Sequence, residues 1–183
     1  INGVFEAMAI NDLDSAPGTG AAYYTDVPGL KKTNNINRSN QLACWPKLKL
    51  GDRIFNQSVQ LAGLIGKTDN TEGLGSGTPC ESASNKTLQA DSTVLADGTE
   101  VTLDVQKANY LNDNGIITAL NFSNGFVSWG NYSACFPSST DPVDYFYCIN
   151  RMFKWVGKTV IQSYWNYVDR RMTRRLLDAI MQG

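Results

Sequence analysis

Gly63-Leu64-Ile65-Gly66-Lys67-Thr68 ends in the Gly-Lys-Thr of a phosphate loop, in which glycine-rich backbone amides and a lysine cradle phosphate oxygens. Two features count against that chemistry. The pattern needs a glycine five positions before Gly66, where Leu61 stands. It also needs a strand leading into a helix, whereas this triplet is expected to follow a helix, whose C-terminus presents carbonyls to any anion. Gly73-Leu74-Gly75-Ser76-Gly77 has neither the spacing nor the preceding strand of a dinucleotide loop and reads as a flexible segment. Asp91, Asp97, Glu100, Asp104, Asp141 and Asp144 have the right type for paired carboxylates in a hydrolase or a calcium site. None forms the alternating aspartate loop that calcium needs, and Asp97, Asp104 and Asp141 stand where turns and helix N-caps require them.

The chain has no histidine. That excludes a Ser-His-Asp or Cys-His arrangement, a His-ligated zinc and an imidazole base near neutral pH. Cys44, Cys80, Cys135 and Cys148 lie 36, 55 and 13 positions apart, without the short pair spacing of a metal site, so free and mostly buried thiols are expected. These residues assign no catalytic group, no cofactor and no metal.

Sixteen basic against 17 acidic residues leave a net charge of -1. No long-range field then favours nucleic acid or anionic lipid, and no apolar run reaches the ~20 residues of a membrane span. Positive charge concentrates at Arg170, Arg171, Arg174 and Arg175, with Asp178 four residues after Arg174. Such a cluster suits a solvated helix face with an i,i+4 pair or a docking surface for an acidic partner. Trp129, Tyr132, Tyr145, Tyr147, Trp155, Tyr164 and Trp165 fall at strand and helix spacings with no basic strip beside them, which points to a core or a subunit interface rather than base stacking.

A chain of 183 residues with 42% hydrophobic content can build a core. Residues 1–40 read as loop-rich with a short strand near Ala22 to Tyr24, and Cys44 to Leu50 alternates as an edge strand. Gly51-Asp52 offers a turn and N-cap for a helix from Ile54 to Gly66, with Phe55, Val59, Ala62 and Ile65 on one face. Lys67 to Ala90 reads as a long exposed loop, and Thr93 to Leu103 as a hairpin around Asp97-Gly98. Asp104 caps a helix whose apolar positions are Val105, Ala108 and Leu111, closed by Gly115. Ile116–Phe122 and Phe126–Tyr132, joined by Ser123-Asn124-Gly125, form a hairpin. Tyr145 to Ile149 is a strand candidate whose rival is a helix begun by Asp141-Pro142.

Beyond Trp155, Val156, Val160, Tyr164, Tyr167 and Val168 share one helical arc with Arg171, Arg174, Arg175 and Asp178. One straight helix would bury those charges. A break near Asp169-Arg170 removes the conflict and gives a second helix with Met172, Leu176, Leu177 and Ile180 as its apolar face. The expected fold class is mixed α/β (α+β), a mixed sheet with a hairpin near 116–132 flanked by helices and a helical C-terminal end. Residues 1–90 form an N-terminal loop-rich part with one strand-helix unit and a Gly/Ser loop, and residues 91–183 a core with C-terminal helices, the two allowing one continuous domain.

Gly115-Ile116-Ile117, Phe126-Val127-Ser128-Trp129-Gly130-Asn131, Tyr145-Phe146-Tyr147-Cys148-Ile149-Asn150-Arg151 and the helical end resemble the sheath proteins of contractile phage tails and phage-tail-like particles. The segment Leu61 to Asp69, followed by a variable loop, is similar to the same family, as is the order of elements that follows. The stretch from Tyr23 to Gly63 looks like members encoded by prophages of Gram-positive bacteria. Members often carry arginine after Trp-Gly, where this chain has Asn131. They are also longer, with terminal arms that add strands to neighbours and are not identifiable here, so this chain is expected to be a core piece that does not polymerise alone.

The resemblance implies a structural subunit, not an enzyme, that assembles helically around an inner tube and contracts to drive it through a cell envelope. The implied partners are copies of itself, the inner tail tube protein, and baseplate and tail terminator proteins, with no nucleic acid and no direct membrane insertion. The implied place is the virion tail sheath, with assembly in the host cytoplasm. Arg170, Arg171, Arg174 and Arg175 are the candidates for its tube-facing or neighbour-facing surface. Two other readings stand beside it: a nucleotide-dependent enzyme using Lys67 and Thr68, and a secreted adhesin-like domain with paired cysteines and Asn-X-Ser/Thr acceptors such as Asn37 and Asn85.

Overall fold

The computed structural model describes residues 7–72, 78, 79, 81–123 and 125–182. In chain order the elements are β1 (Ala9–Asp12), α1 (Val27–Thr33), β2 (Gln41–Cys44), β3 (Lys47–Leu50), β4 (Arg53–Phe55), α2 (Gln57–Glu72), β5 (Ser92–Val94), α3 (Val105–Asn112), β6 (Thr118–Asn121), β7 (Phe126–Trp129), α4 (Pro142–Tyr145), α5 (Tyr147–Tyr164) and α6 (Arg174–Gln182), with a 3-10 turn at Trp165–Tyr167 between the last two. This is the mixed α/β fold expected.

One ladder organises the interior. β1 runs parallel to β2, from Ala9 opposite Gln41 to Asp12 opposite Cys44. On the other edge of β2, Cys44 bridges in parallel to Ile117, whose N–H donates to Ala43 O (2.8 Å) and whose carbonyl accepts from Trp45 N–H (3.1 Å). β6 pairs antiparallel with β7, Leu120 opposite Val127, and Thr87 bridges to Val127 on the far side. Alternate side chains of β2 enter different cores, as the pleat requires: Leu42 and Cys44 join Leu61, Ile65, Ile117 and Tyr147, while Ala43 and Trp45 join Val27, Leu111 and Ile116. Helices therefore cover both faces, α2 and the start of α5 on one and α1 and α3 on the other. A ladder with a parallel segment buried on both sides is the normal outcome. A second sheet, β4-β3-β5, packs Leu48 against Leu88 and Ala119.

Several expectations hold in detail. Asp104 caps α3 by accepting from Lys107 N–H (2.8 Å), and Ala108 and Leu111 are buried. The hairpin closes through Phe122 N–H to Gly125 O (3.1 Å), with Ser123 at φ 53° and Gly125 at φ 117°; Asn124 lies outside the described residues. Asp97 accepts from Thr99 N–H (3.0 Å) at the turn around Gly98, and Val94 faces Glu100. Gly115 (φ 67°) follows α3 so closely packed that a Cβ there would lie 2.6 Å from Phe136 O. No side chain fits.

Other expectations change. Ala22 to Tyr24 is not a strand but a turn leading into α1, whose Pro28 sits in the first helical turn where its missing N–H costs nothing. Cys44 to Leu50 is two strands. Pro46 cannot donate to a ladder, so the chain changes sheets there, and β3 lies at the centre of its sheet rather than the edge. Ile54 belongs to β4, and α2 starts at Gln57 and runs to Glu72, covering the first part of the expected Lys67–Ala90 loop. Its inner face is Gln57, Leu61, Ile65 and Thr68, with Val59 and Ala62 outside. The cap comes from another element: Asp12 at the end of β1 accepts from Ser58 N–H (2.9 Å) and from the Ser58 hydroxyl, placing a carboxylate at the positive end of the helix. Of the apolar positions of α3, Val105 is exposed. Tyr145 to Ile149 is not a strand, because Asp141 accepts from Val143 N–H (2.9 Å) and starts α4, after which the chain re-enters helix at Tyr147. Among the described residues no helix is long and apolar enough to cross a membrane.

Candidate interface surfaces

α5 begins inside the body and ends outside it. Tyr147 is fully buried, its hydroxyl accepting from Ala83 N–H (2.7 Å) and lying 3.2 Å from Ser82 Oγ. Asn150 is buried one turn later. Arg151 grips Asp69 near the end of α2 in a two-pronged ion pair, Nη1 to Oδ1 at 3.2 Å with Nη2 on Oδ2, both side chains largely shielded from solvent. A fork on a carboxylate fixes direction as well as distance.

Past Arg151 the helix leaves the body. From Met152 to Arg175 every residue is exposed except Lys154, Ile161, Tyr164 and Tyr167. Phe153 (61% exposed), Val156 (44%) and Val160 (50%) recur at the spacing of one helix stripe. Such a stripe is normally the buried face. Here it faces outward on α5, and it continues into Trp165, which is 60% exposed.

The break expected near Asp169 is present. α5 tightens into the 3-10 turn, Val168 is extended, and Asp169 takes φ 61° before α6 starts at Arg174. Thr173 opens α6 through its hydroxyl, which accepts from Leu176 N–H (3.2 Å). The second helix touches the first where Tyr164 Oη donates to Ile180 O (3.3 Å). Leu176 and Ile180 are half-buried, whereas Met172 and Leu177 of the expected apolar face are exposed.

Arg170, Arg171, Arg174 and Arg175 are all exposed. The fold brings Arg170, Arg171 and Arg175 to one shallow hollow with Tyr167, Thr173 and Leu176, and it leaves Arg174 outside that lining. Arg170 lies over the Tyr167 ring at 5.8 Å from its centroid. The expected i,i+4 pair of Arg174 with Asp178 does not form within 4 Å, so that carboxylate leaves the guanidinium uncompensated. Arg174 and Arg175 occupy the first turn of α6, the end of the dipole that disfavours cations.

Among the described residues the groups weighed for chemistry have structural roles. Gly63 to Thr68 lies inside α2 rather than after a helix, so its amides are committed to helical hydrogen bonds, and the Thr68 hydroxyl donates back to Leu64 O (2.8 Å). Asp97, Asp104 and Asp141 hold backbone amides, and the N–H donors lower the carboxyl pKa values of Asp97 and Asp104. Among the described residues no group of His, Cys, Asp or Glu is placed to hold a metal. Cys44, Cys135 and Cys148 are free thiols, as expected, and Cys80 lies outside the described residues. Tyr132, Phe136, Tyr145 and Phe146 form a mutually packed ring cluster, Tyr132 stacking on Phe136 at 4.1 Å. Trp129 Nε1–H donates to Asn109 Oδ1 (2.9 Å).

Sequence reasoning missed two contacts. Asp69 and Arg151 are 82 residues apart, and the signal for them was only that each closes a segment singled out on other grounds. Lys31 is buried and donates to the carbonyls of Asn114 and Phe136 (2.9 Å to the latter). Burial lowers its pKa to about 8.

No family model matches the sequence, and no curated protein matches it. Solved structures do match the fold. A sheath complex of an extracellular contractile injection system in its contracted state superposes with TM-score 0.72 over 95% of this chain, at 14% identity. The contracted helical sheath of the anti-feeding prophage gives 0.66 over 94%, at 16% identity. A sheath tail protein from Desulfitobacterium hafniense gives 0.55 over 91%, at 11% identity. The chain spans 45%, 42% and 42% of those proteins respectively, less than half of each.

Proposed function

We propose that this chain is the core of a contractile sheath subunit, a structural part that assembles with copies of itself into a helical sleeve around an inner tube and shortens to drive the tube through a cell envelope. The observation that carries the reading is the likeness of fold along nearly the whole chain, 94–95% of it, to proteins named as sheath components of contractile particles. The exposed apolar stripe and basic end of the last two helices support it, since a subunit that acts through its neighbours must carry surface that a monomer leaves unused. The function requires no catalytic group. In this reading Arg170, Arg171, Arg174 and Arg175 lie on a surface that meets either the tube or a neighbouring subunit, and the sheath ends meet baseplate and terminator proteins. The particle is a tail or tail-like injection machine, assembled in the cytoplasm of the producing cell.

Electron microscopy of the full-length protein, expressed with and without its tube protein, tests this. Hollow tubes with a helical repeat are expected. Monodisperse particles under both conditions, at concentrations where tubes of comparable proteins form, would defeat the reading.

A further inference from the structure

We propose that the hollow between the end of α5 and the start of α6 binds a phosphate-class oxyanion, a tetrahedral and multiply charged group held by Arg170, Arg171 and Arg175. The inference goes beyond the sheath reading and does not depend on it. What carries it is a gathering of like charges that the chain leaves unanswered. Residues 167–176 hold four arginines and one aspartate, and three of those arginines line one hollow of about 270 Å³ with Tyr167, Thr173 and Leu176. None of the three has a carboxylate within 4 Å among the described residues, Asp169 and Asp178 included. Cations held together without a counter-charge repel one another, and an anion set among them turns that cost into attraction.

The surroundings fix the walls of the hollow. Asp169 at φ 61° breaks the helical path after the 3-10 turn, and Tyr164 Oη donates to Ile180 O (3.3 Å), so α6 rests against the end of α5. The Arg170 guanidinium lies 5.8 Å from the centroid of the Tyr167 ring, which steadies it at the rim. Thr173 Oγ1 accepts from Leu176 N–H (3.2 Å), and its own O–H meets no acceptor among the described residues. A carboxylate is planar and is satisfied by one guanidinium fork, whereas a phosphate group turns three or more oxygens in different directions, which three arginines and a hydroxyl can share. Pockets for drug-sized ligands run from about 300 to 1,000 Å³, so this smaller hollow suits a compact ion. Arg174 carries the same charge one residue from Arg175 and lies outside the lining. It therefore separates a defined site from a merely basic surface. A bound anion would tie Arg170 and Arg171 to the first turn of α6 and fix the angle between the last two helices.

Isothermal titration calorimetry of the chain with inorganic phosphate and with pyrophosphate tests this, in about 100 mM NaCl so that long-range attraction is screened. Acetate and additional NaCl at matched ionic strength are the controls. Both phosphates are expected to bind with Kd below about 1 mM, and the controls to give no measurable binding. Arg171→Gln and Arg175→Gln should each weaken binding at least ~10-fold, whereas Arg174→Gln should stay within about twofold of wild type. Amide shifts in NMR spectra should concentrate at residues 167–176. Far-UV circular dichroism would verify that the three variants, all at exposed positions, keep the fold. Tighter binding of pyrophosphate would assign the site to linked phosphoryl groups and equal affinity to a single one, and either result supports the proposal. Absence of binding, an equal response to acetate or NaCl, or an equal loss from Arg174→Gln would overturn it, the last two marking a diffuse counterion effect only. Tube formation in the microscopy above is a separate readout, so the failure of either proposal leaves the other standing.

Discussion

Tyr147 and Phe153 sit six residues apart on the same helix, one fully buried and the other 61% exposed. The body up to Asn150 builds closed cores: Leu42, Trp45, Leu61, Leu111 and Ile117 are each shut off from solvent between sheet and helices, and its exposed apolar residues, such as Tyr23, Val59 and Phe122, are scattered. The arm uses the same residue types and the same helical spacing, yet presents them outward. Composition therefore says little about which part is core. What separates the regions is whether a second layer covers the stripe, and in the arm that layer must come from another chain or from another part of a longer one. The body supplies stability and the arm supplies an unmet surface.

Substitutions break this comparison in order of size. Leu61→Ala removes a fully buried side chain of α2 from the core it shares with Leu42, Cys44 and Ile117, and should cost about 2–5 kcal/mol in urea or thermal unfolding. Arg151→Ala strands Asp69 in a mostly shielded position. The expected loss is about 2–3 kcal/mol, between the limits for exposed and fully buried pairs. It should also loosen the arm, seen as faster amide exchange from residue 152 onward with the exchange of α2's first turns unchanged.

Lys31 gives a smaller, pH-dependent effect. Its folded pKa of about 8 lies below that of the unfolded chain, near the usual 10.4. Below about pH 8 both states are protonated and the buried ammonium costs its full penalty. Between about pH 8 and 10 the folded state releases its proton first, so the unfolded state binds more protons and stability rises with pH. Relative to Lys31→Met, the wild type should gain on the order of 1 kcal/mol per pH unit across that window. A constant difference between the two curves would refute the assignment. Smallest of all, Val160→Ser should change the stability of the isolated chain by no more than about 0.5 kcal/mol, since the side chain is already half in water. A large loss would mean that the arm packs on its own body.

Local signals explain what could be read in advance. Ser123 and Gly125 take the positive φ of a tight hairpin, Asp104 and Asp141 supply their own caps, and the conflict of phase at Asp169 marks a break because charges cannot share a buried stripe. Each is decided within a few residues. The parallel ladder of β1 on β2 with Ile117 joins segments some thirty to seventy-five positions apart, and no local pattern encodes such a partner. The face of α2 was misassigned for a related reason. Val59 and Leu61 are both apolar, and only the position of β1, whose Asp12 holds the first turn, decides which one turns inward. At the candidate surface the arginine cluster was legible as a concentration of charge. The exposure of Phe153, Val156 and Val160 was not, because an amphipathic pattern states that a face needs covering and not whether the same chain covers it.

Hydrogen exchange measured by mass spectrometry on the free chain and on the assembled full-length protein tests the central claim most directly. In the free chain residues 152–175 should exchange far faster than α2, β2 and β6, and assembly should protect residues 152–175 strongly while the body changes little. Equal protection of arm and body in the free chain, or an arm left unprotected in the assembly, would contradict it.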